Sequence, residues 1–146
     1  MNSKKIMTEL SEALSRVNAS YAVIAQKHDL SYNALMVFYM VDEWQNITQK
    51  EICEKLFLSK STVNGILNDL KQKKYVELVP GRNKKEKIIV FTESGEKINA
   101  MIQSDTNHFE QQILSWYGEE NAIYFLEQAE LLSKRMIDAV VDVIKE

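Results

Sequence analysis

The chain has 146 residues, of which 45% are hydrophobic and 27% are charged. These proportions suit one folded domain and exclude an intrinsically disordered chain, and a single proline with only four glycines favours long helices over the short strands of a barrel. One cysteine excludes an internal disulfide, and no apolar run approaches the roughly 20 residues that cross a bilayer, so we expect a cytoplasmic protein without a membrane partner.

Charge is distributed unevenly along the chain, whose formal net charge is −3. Residues 1–59 are nearly neutral, residues 60–91 contain eight Lys/Arg against three Asp/Glu, and residues 92–146 contain four against eleven. A cationic middle between acidic flanks can place a positive face against phosphates although the whole protein is acidic. The overall charge therefore does not exclude nucleic acid as a partner.

Two helices are predicted at the start of the chain. Apolar residues from Ile6 onward recur at steps of three and four, which indicates an amphipathic helix that ends near His28. Ser31 is predicted to cap a second helix, which runs to about Glu43 and is almost entirely apolar. We expect this second helix to be buried.

A helix-turn-helix is predicted next. Thr48, with Glu51 three residues later, has the pattern of a capping box and begins a short third helix that ends near Leu56. Ser59 is predicted to cap a fourth helix that extends to about Lys74. So short a connection indicates a helix-turn-helix, whose second helix enters the major groove of DNA. The buried face of this helix is expected to consist of Val63, Ile66, Leu67 and Leu70.

A β-hairpin and two long helices complete the chain. The runs Tyr75–Val79 and Ile88–Phe91 are rich in residues that favour strands, which predicts a hairpin with a basic tip. Thr92 is predicted to cap a fifth helix that reaches about Trp116, with a break expected at Gly118. A sixth helix with a further apolar stripe then runs nearly to the last residue.

The outward face of the fourth helix is the predicted base-reading surface. Ser, Thr and Asn side chains can hydrogen-bond to base edges, and Gly65 would let the helix approach the groove closely. The basic tip of the hairpin can act as a wing that reaches the DNA backbone or the minor groove. A solvated surface is the alternative for either feature alone, but their adjacency favours DNA binding. The predicted DNA contacts are Thr48, Gln49, Ser59, Lys60, Ser61, Thr62, Asn64, Gly65, Asn68 and Lys71 and, in the wing, Arg82, Asn83, Lys84, Lys85 and Lys87.

A family resemblance covers about residues 30–95. Its centre is the segment ITQKEICEKLFLSKSTVNGILNDLKQKKYVELVPGRNKKEKIIVFTESG, and the motif FTESGEKI follows the wing. In these motifs and in the order of its elements, the chain resembles the MarR family of bacterial transcription regulators. Asn83 and Lys85 stand where that family has an aspartate and an arginine that form a salt bridge, and Phe57 and Lys74 stand where glycines are common.

The resemblance implies a mainly α-helical, winged helix-turn-helix fold with a two-stranded wing, in one domain spanning residues 1–146. Residues 1–30 and 93–146 would form dimerisation helices, and residues 31–92 would form the DNA-binding lobe. The resemblance also implies a homodimer that binds an inverted-repeat operator in double-stranded DNA, as a repressor relieved by a small-molecule effector. The effector pocket would be lined by Tyr21, Phe38, Tyr39 and Trp44, for each of which core packing is the alternative.

The sequence also bears on functions other than DNA binding. Winged helices can bind proteins through the same surfaces, so a protein-interaction module without DNA binding is the alternative function. Cys53 lies where the motif requires a small interior residue, so we expect a structural role and not a redox switch. His28 and His108 lack a second histidine at ligand spacing, which argues against a metal site. No catalytic or cofactor motif is present, so neither an enzyme nor a cofactor is expected.

Overall fold

A computed structural model describes residues 2–83 and 85–145 of the chain. Within these residues it contains six helices and a two-stranded antiparallel sheet in the predicted order, and the predicted fold class is confirmed. The chain divides into two compact units, one ending at Asp105 and one beginning at Thr106. The elements are α1 (Ser3–Lys27), α2 (Tyr32–Glu43), α3 (Gln49–Leu56), α4 (Lys60–Gln72), β1 (Val76–Pro80), β2 (Lys87–Phe91), α5 (Glu93–Tyr117) and α6 (Glu119–Lys145).

Side-chain caps begin the helices where they were predicted. Ser31 Oγ accepts a backbone N–H three residues further on, at 3.1 Å, and begins α2. Thr48 and Glu51 form the predicted capping box, in which each side chain accepts the other's backbone N–H, and Ser59 caps α4. The first helix begins earlier than predicted because the side chain of Asn2 caps it.

Two residues adopt the left-handed backbone conformation that glycine favours. Phe57, with φ 53°, ends α3, and Lys74, with φ 63°, follows α4. This conformation costs other residue types roughly 1–2 kcal/mol, because Cβ approaches the following carbonyl oxygen. Both residues stand where the resemblance implies glycine, so the backbone turns are kept without it. The left-handed turn at Lys74 also explains why α4 ends at Gln72 rather than at Lys74.

The core of the first unit surrounds Phe38 of α2, which is completely buried. Its ring centroid lies 6.2 Å from that of Tyr75 and 5.1 Å from that of Phe91, so α2 packs against the hairpin. Each fully buried aliphatic side chain around this cluster contributes roughly 1.5–3 kcal/mol. Together these aliphatic side chains hold α3 and α4 in place. The fully buried ones are Leu35, Ile47, Ile52, Leu67, Leu70, Ile89 and Ile102.

The wing is joined to the helix-turn-helix by backbone pairing. β1 and β2 run antiparallel, with Val76 opposite Phe91 at the end away from the tip. The N–H of Ile89 donates to the carbonyl oxygen of Ile47 at 3.0 Å, and Thr48 forms an isolated bridge to β2. Because Thr48 also caps α3, one set of hydrogen bonds fixes the wing relative to that helix.

The motif FTESG marks a close backbone contact. Thr92 Oγ1 accepts the N–H of Gly95 at 3.0 Å and donates to the carbonyl oxygen of Lys74, while the Thr92 N–H donates to the carbonyl oxygen of Tyr75 at 3.0 Å. A Cβ at Gly95 would lie 1.8 Å from that same Tyr75 oxygen. Glycine is therefore required where α5 begins beside β1.

The second unit comprises the end of α5 and all of α6, joined through Gly118, whose φ of 92° confirms the predicted break. Trp116 is 83% exposed and its ring stacks on Tyr117. None of the described helices is long and apolar enough to span a membrane. Along the described part of α6 no residue is buried, and the exposed apolar side chains include Ile123, Tyr124, Phe125, Leu126, Leu131, Met136, Ile137, Val140, Val143 and Ile144.

Candidate nucleic-acid interface

The predicted recognition helix, α4, turns an apolar face inward and a polar face outward. Val63, Leu67 and Leu70 are buried as expected, whereas Ile66 is only half-buried. At 100° per residue, Gly65 lies near the middle of the outward face, and a Cβ added there would meet nothing within 4 Å. The predicted contacts on this face are all exposed: Lys60, Ser61, Thr62, Asn64, Gly65, Asn68 and Lys71.

Hydrogen bonds orient two side chains on the outward face. Ser59 Oγ accepts the backbone N–H of Thr62 at 3.1 Å and donates to Thr62 Oγ1 at 2.9 Å. Gln49, the first residue of α3, donates from Nε2 to Oδ1 of Asn64. Both pairs lie at or near the amino-terminal half of α4, which is the part that a recognition helix places against base edges.

At the tip of the wing, the side chain of Asn83 accepts backbone N–H groups of the turn. Its Oδ1 accepts the backbone N–H groups of Lys85 and Glu86, both at 3.1 Å, and its carbonyl oxygen accepts the Glu86 N–H as well. The Gly81 N–H donates to the Glu86 carbonyl oxygen at 2.9 Å. Asn83 therefore shapes the turn at the position where the resemblance implies an aspartate. Lys84, another predicted contact, lies outside the described residues.

A cavity of about 510 Å³ lies where the helix-turn-helix meets the wing. Among the described lining residues, four are lysines and one, Glu86, is acidic, so the surface of the cavity suits an anion such as a DNA phosphate. Cys53 lines this cavity and packs against the hydrophobic core, but it is half-buried and therefore less buried than expected. The lining residues are Thr48, Gln49, Lys50, Cys53, Lys60, Lys85, Glu86 and Lys87.

Asp69, the acidic residue of α4, is offset by a neighbouring lysine. Lys73 Nζ lies 3.3 Å from the Asp69 carboxylate and donates to the carbonyl oxygen of Asp29 at 2.9 Å. The second bond holds Lys73 in place beside Asp69. The negative charge on α4 is therefore matched locally, and Lys60 and Lys71 leave the outward face cationic.

A charged cluster that the sequence analysis missed joins the end of α1 to α5. The Asp105 carboxylate lies 2.8 Å from Lys27 Nζ and 2.7 Å from Nε2 of the buried His28. Hydrogen bonds from Lys27 and then from His28 hold the pKa of Asp105 below its usual value. The partners are separated by 77 and 78 residues, so no local sequence pattern could have brought them together.

The four aromatic residues predicted to line an effector pocket have different surroundings. Tyr21 and Tyr39 meet edge to face, with ring centroids 6.3 Å apart. Phe38 belongs to the core, and Trp44 is 48% exposed with Lys55 Nζ 3.9 Å from its ring centroid. Core packing, the alternative for each residue, describes Phe38, and Tyr21 and Tyr39 pack against the same core. A pocket shared by all four residues stays a prediction.

The central part of the chain is similar to known sequences. The sequence model described as MarR family matches residues 28–85, which include α2, the helix-turn-helix, β1 and part of the wing tip. The chain is also 27% identical over 105 residues to the HTH-type transcriptional regulator SarZ of Staphylococcus haemolyticus. That alignment covers 70% of this chain and 71% of the relative.

Solved structures share the fold over nearly the whole chain. The MarR family regulator NMB1585 from Neisseria meningitidis matches with a TM-score of 0.83 and 22% identity, covering 97% of this chain and 99% of that one. A Staphylococcus aureus MarR in complex with salicylate and kanamycin matches with a TM-score of 0.73 and 14% identity, covering 93% of each chain. At these identities the likeness shows a common fold.

Proposed function

We propose that the chain is a member of the MarR family and a transcription regulator that binds duplex DNA sequence-specifically, a proposal that the family match over residues 28–85 supports. α4 would lie in the major groove, and the wing would contact the adjacent backbone or minor groove. One observation carries the proposal: the exposed polar face of α4 adjoins a cavity lined by four lysines from the helix-turn-helix and the wing. This arrangement combines base-reading groups with phosphate-binding groups.

The contacts divide by chemistry into two sets. Lysines and the wing arginine are assigned to phosphates, because their charge releases counterions from DNA whatever the sequence. Ser, Thr and Asn side chains of α4 are assigned to base edges, and Gly65 allows the helix to approach them. The phosphate set is Lys60, Lys71, Arg82, Lys84, Lys85 and Lys87, and the base set is Ser61, Thr62, Asn64 and Asn68.

The regulator is proposed to act as a homodimer. The apolar side chains of α6 are exposed, and α1 exposes Ile6, Leu14 and Val17, so a second copy of the chain is the natural cover for these faces. A two-fold axis would place two α4 helices on successive major grooves, about 34–36 Å apart. The operator is therefore proposed to be an inverted repeat with half-sites about one helical turn apart.

The regulator is further proposed to be a repressor that releases DNA when a small molecule binds. The Staphylococcus aureus MarR in complex with salicylate supports a small aromatic acid as the first compound to examine. An effector acts by binding the DNA-free conformation more tightly than the DNA-bound one.

Selection of bound duplexes from a random pool, followed by salt titration of the best sequence, tests the proposal. Arg82→Ala with Lys85→Ala should weaken binding to specific and unrelated duplexes alike. Each lost phosphate contact should reduce the slope of log K against log salt by about 0.9. The double variant loses two contacts in each protomer of the dimer, so its slope should fall by about 3.6. Lys4→Ala with Lys5→Ala removes the same charge from α1 and serves as the matched control.

The results separate DNA binding from the alternative of a protein-interaction module. Enrichment of an inverted repeat and a smaller salt slope for the wing variant alone would support the regulator. If no duplex binds even at low salt, the chain is not a DNA-binding protein. If both double variants reduce the slope equally, the wing has no specific role.

A further inference from the structure

A lysine at the end of the recognition helix joins α4 to α1. Lys73 Nζ donates to the carbonyl oxygen of Asp29 at 2.9 Å, across 44 residues of sequence, and its side chain is 30% exposed. The function proposed for this chain assigns α4 to the major groove and α1 to the dimer interface. The contact therefore links the surface that would read DNA to a surface that would pair the two protomers, and its interpretation rests on that proposed function.

The acceptor, Asp29, is held in place by the turn that ends α1. Its φ of 60° is left-handed, and its N–H donates to the carbonyl oxygen of Gln26 at 3.1 Å. The N–H of Leu30 donates back to the carbonyl oxygen of Ala25 at 2.9 Å, and both of these residues are buried in the core of the first unit. The end of a helix also carries partial negative charge, which favours an ammonium group beside it.

The same turn is bound to α5. Lys27 and His28, the two residues before Asp29, contact the carboxylate of Asp105 at 2.8 Å and 2.7 Å. The side chain of His28 is almost completely buried, so this contact lies inside the first unit. Lys73 is therefore tied to a point that is itself fixed to both α1 and α5.

The end of α4 lies beyond the apolar packing that holds the rest of the helix. Leu70 is its last buried residue, and Lys71 and Gln72 are exposed. Apolar packing is non-directional, so it determines which face of α4 points inward more firmly than where the helix lies along that face. A hydrogen bond has a defined length and direction, and a charged donor strengthens it. Thr92 binds the turn after α4 to the start of α5, and Lys73 supplies the matching bond to α1.

We propose that Lys73 is a positioning residue that sets the length of the spacer between the half-sites of the operator. In a two-fold dimer, a shift of α4 relative to α1 in each protomer changes the distance between the two recognition helices by up to twice that shift. One base pair adds about 3.4 Å along the duplex, so a shift of about 1.7 Å in each protomer corresponds to one base pair of spacer. Loss of the Lys73 bond should therefore let the dimer accept neighbouring spacers that the wild type rejects.

Duplexes that differ only in spacer length test the proposal. The inverted repeat that the full-length wild type selects from a random pool is rebuilt with its spacer lengthened or shortened by one base pair, and Kd is measured for each duplex. Lys73→Met keeps the length of the side chain and removes the ammonium group. One hydrogen bond corresponds to a factor of about two to ten, so the preference for the best spacer should fall at least about twofold in this variant. Lys73→Arg keeps the charge and the donors and should restore the preference.

Two control variants separate positioning from direct contact with DNA. Lys71→Met removes an ammonium group that is assigned to a phosphate, so it should reduce the slope of log K against log salt by about 1.8 for the dimer and keep the spacer preference. Lys73→Met should instead keep the salt slope and change the spacer preference. Asp69→Asn removes the ion pair within α4 but leaves Lys73 its bond to Asp29, so it should also keep the spacer preference.

The outcomes distinguish the role of Lys73 from the proposed function. If the wild type enriches no inverted repeat, dimeric DNA recognition itself is refuted. If the wild type accepts neighbouring spacers equally, or if Lys73→Met keeps the wild-type preference, the positioning role is refuted while DNA binding stands. The same holds if Lys73→Met lowers the salt slope as Lys71→Met does, or if it loses base preference within each half-site. Thermal unfolding identifies a variant that does not fold, and Lys73→Ala then takes the place of Lys73→Met.

Discussion

Replacing Gly65 with alanine should stabilise the protein and weaken its binding to DNA. Glycine in a helix interior is less favourable than alanine by about 0.5–1 kcal/mol. Gly65 lies within α4, and a Cβ there meets nothing within 4 Å, so no clash offsets this gain. For a chain of about this length, 1 kcal/mol corresponds to roughly 2–4 °C in Tm. We therefore expect Gly65→Ala to raise Tm by about 1–4 °C.

The effect on DNA binding has the opposite sign because Gly65 lies near the middle of the outward face of α4. A methyl group there would hold the helix away from the base edges and lengthen the hydrogen bonds of its neighbours. Loss of one good base contact corresponds to a discrimination of about 1–3 kcal/mol, so Kd for the operator should rise fivefold or more. Binding to unrelated duplexes, which depends on phosphate contacts, should change less.

Thermal unfolding followed by circular dichroism and fluorescence anisotropy with labelled duplexes would measure the two effects. Ser20→Ala, an exposed position within α1, is the control that improves helix propensity away from α4 and should leave Kd unchanged. An unchanged operator Kd for Gly65→Ala would mean that the outward face of α4 does not approach the bases. A fall in Tm would instead show that the backbone at Gly65 does not tolerate a side chain.

Two other substitutions test the contacts that hold the first unit together. Gly95→Ala should destabilise it by about 1–3 kcal/mol, measured by urea unfolding, because the new Cβ would strike the Tyr75 carbonyl oxygen; an unchanged midpoint would refute the close contact. The pKa of Asp105 is lowered in the folded protein because Lys27 and His28 bind its carboxylate. The stabilisation from these bonds is complete above the pKa of Asp105 in the unfolded chain, about 4. It is lost as pH falls through the lower pKa that Asp105 has in the folded protein. Asp105→Asn should therefore be less stable than the wild type at neutral pH and equally stable in acid, whereas a difference that persists in acid would exclude the charge of Asp105 as its cause.

Local signals in the sequence were sufficient to predict the helix starts and the division of α4 into two faces. The side chains of Ser31, Thr48 and Ser59 each accept the backbone N–H of the residue three positions later. An interaction between residues so close in the chain can be predicted from a sequence pattern. The apolar spacing of Val63, Leu67 and Leu70 similarly fixed which side of α4 faces the core. The predicted contacts on α4 follow from that orientation.

Interactions between distant parts of the chain were not predictable in this way. Asp105 meets Lys27 and His28 only because α5 packs beside the end of α1. Gln49 and Asn64 were both predicted to contact DNA, but nothing in their spacing of 15 residues indicated that they bond to each other. The burial of Cys53 was overestimated because the cavity beside it depends on the position of the wing.

The ends of α4 explain how the recognition helix can be held firmly without the glycines that the family commonly has there. At one end, the Phe57 and Leu58 N–H groups both donate to the Cys53 carbonyl oxygen, which holds Phe57 in its left-handed conformation. At the other end, Thr92 donates to the carbonyl oxygen of Lys74, and the Lys74 N–H donates within α4. Because hydrogen bonds hold the backbone at both ends, α4 loses little freedom on meeting DNA. Less of the binding free energy is then spent on ordering the helix, which leaves more of it for the contacts with DNA.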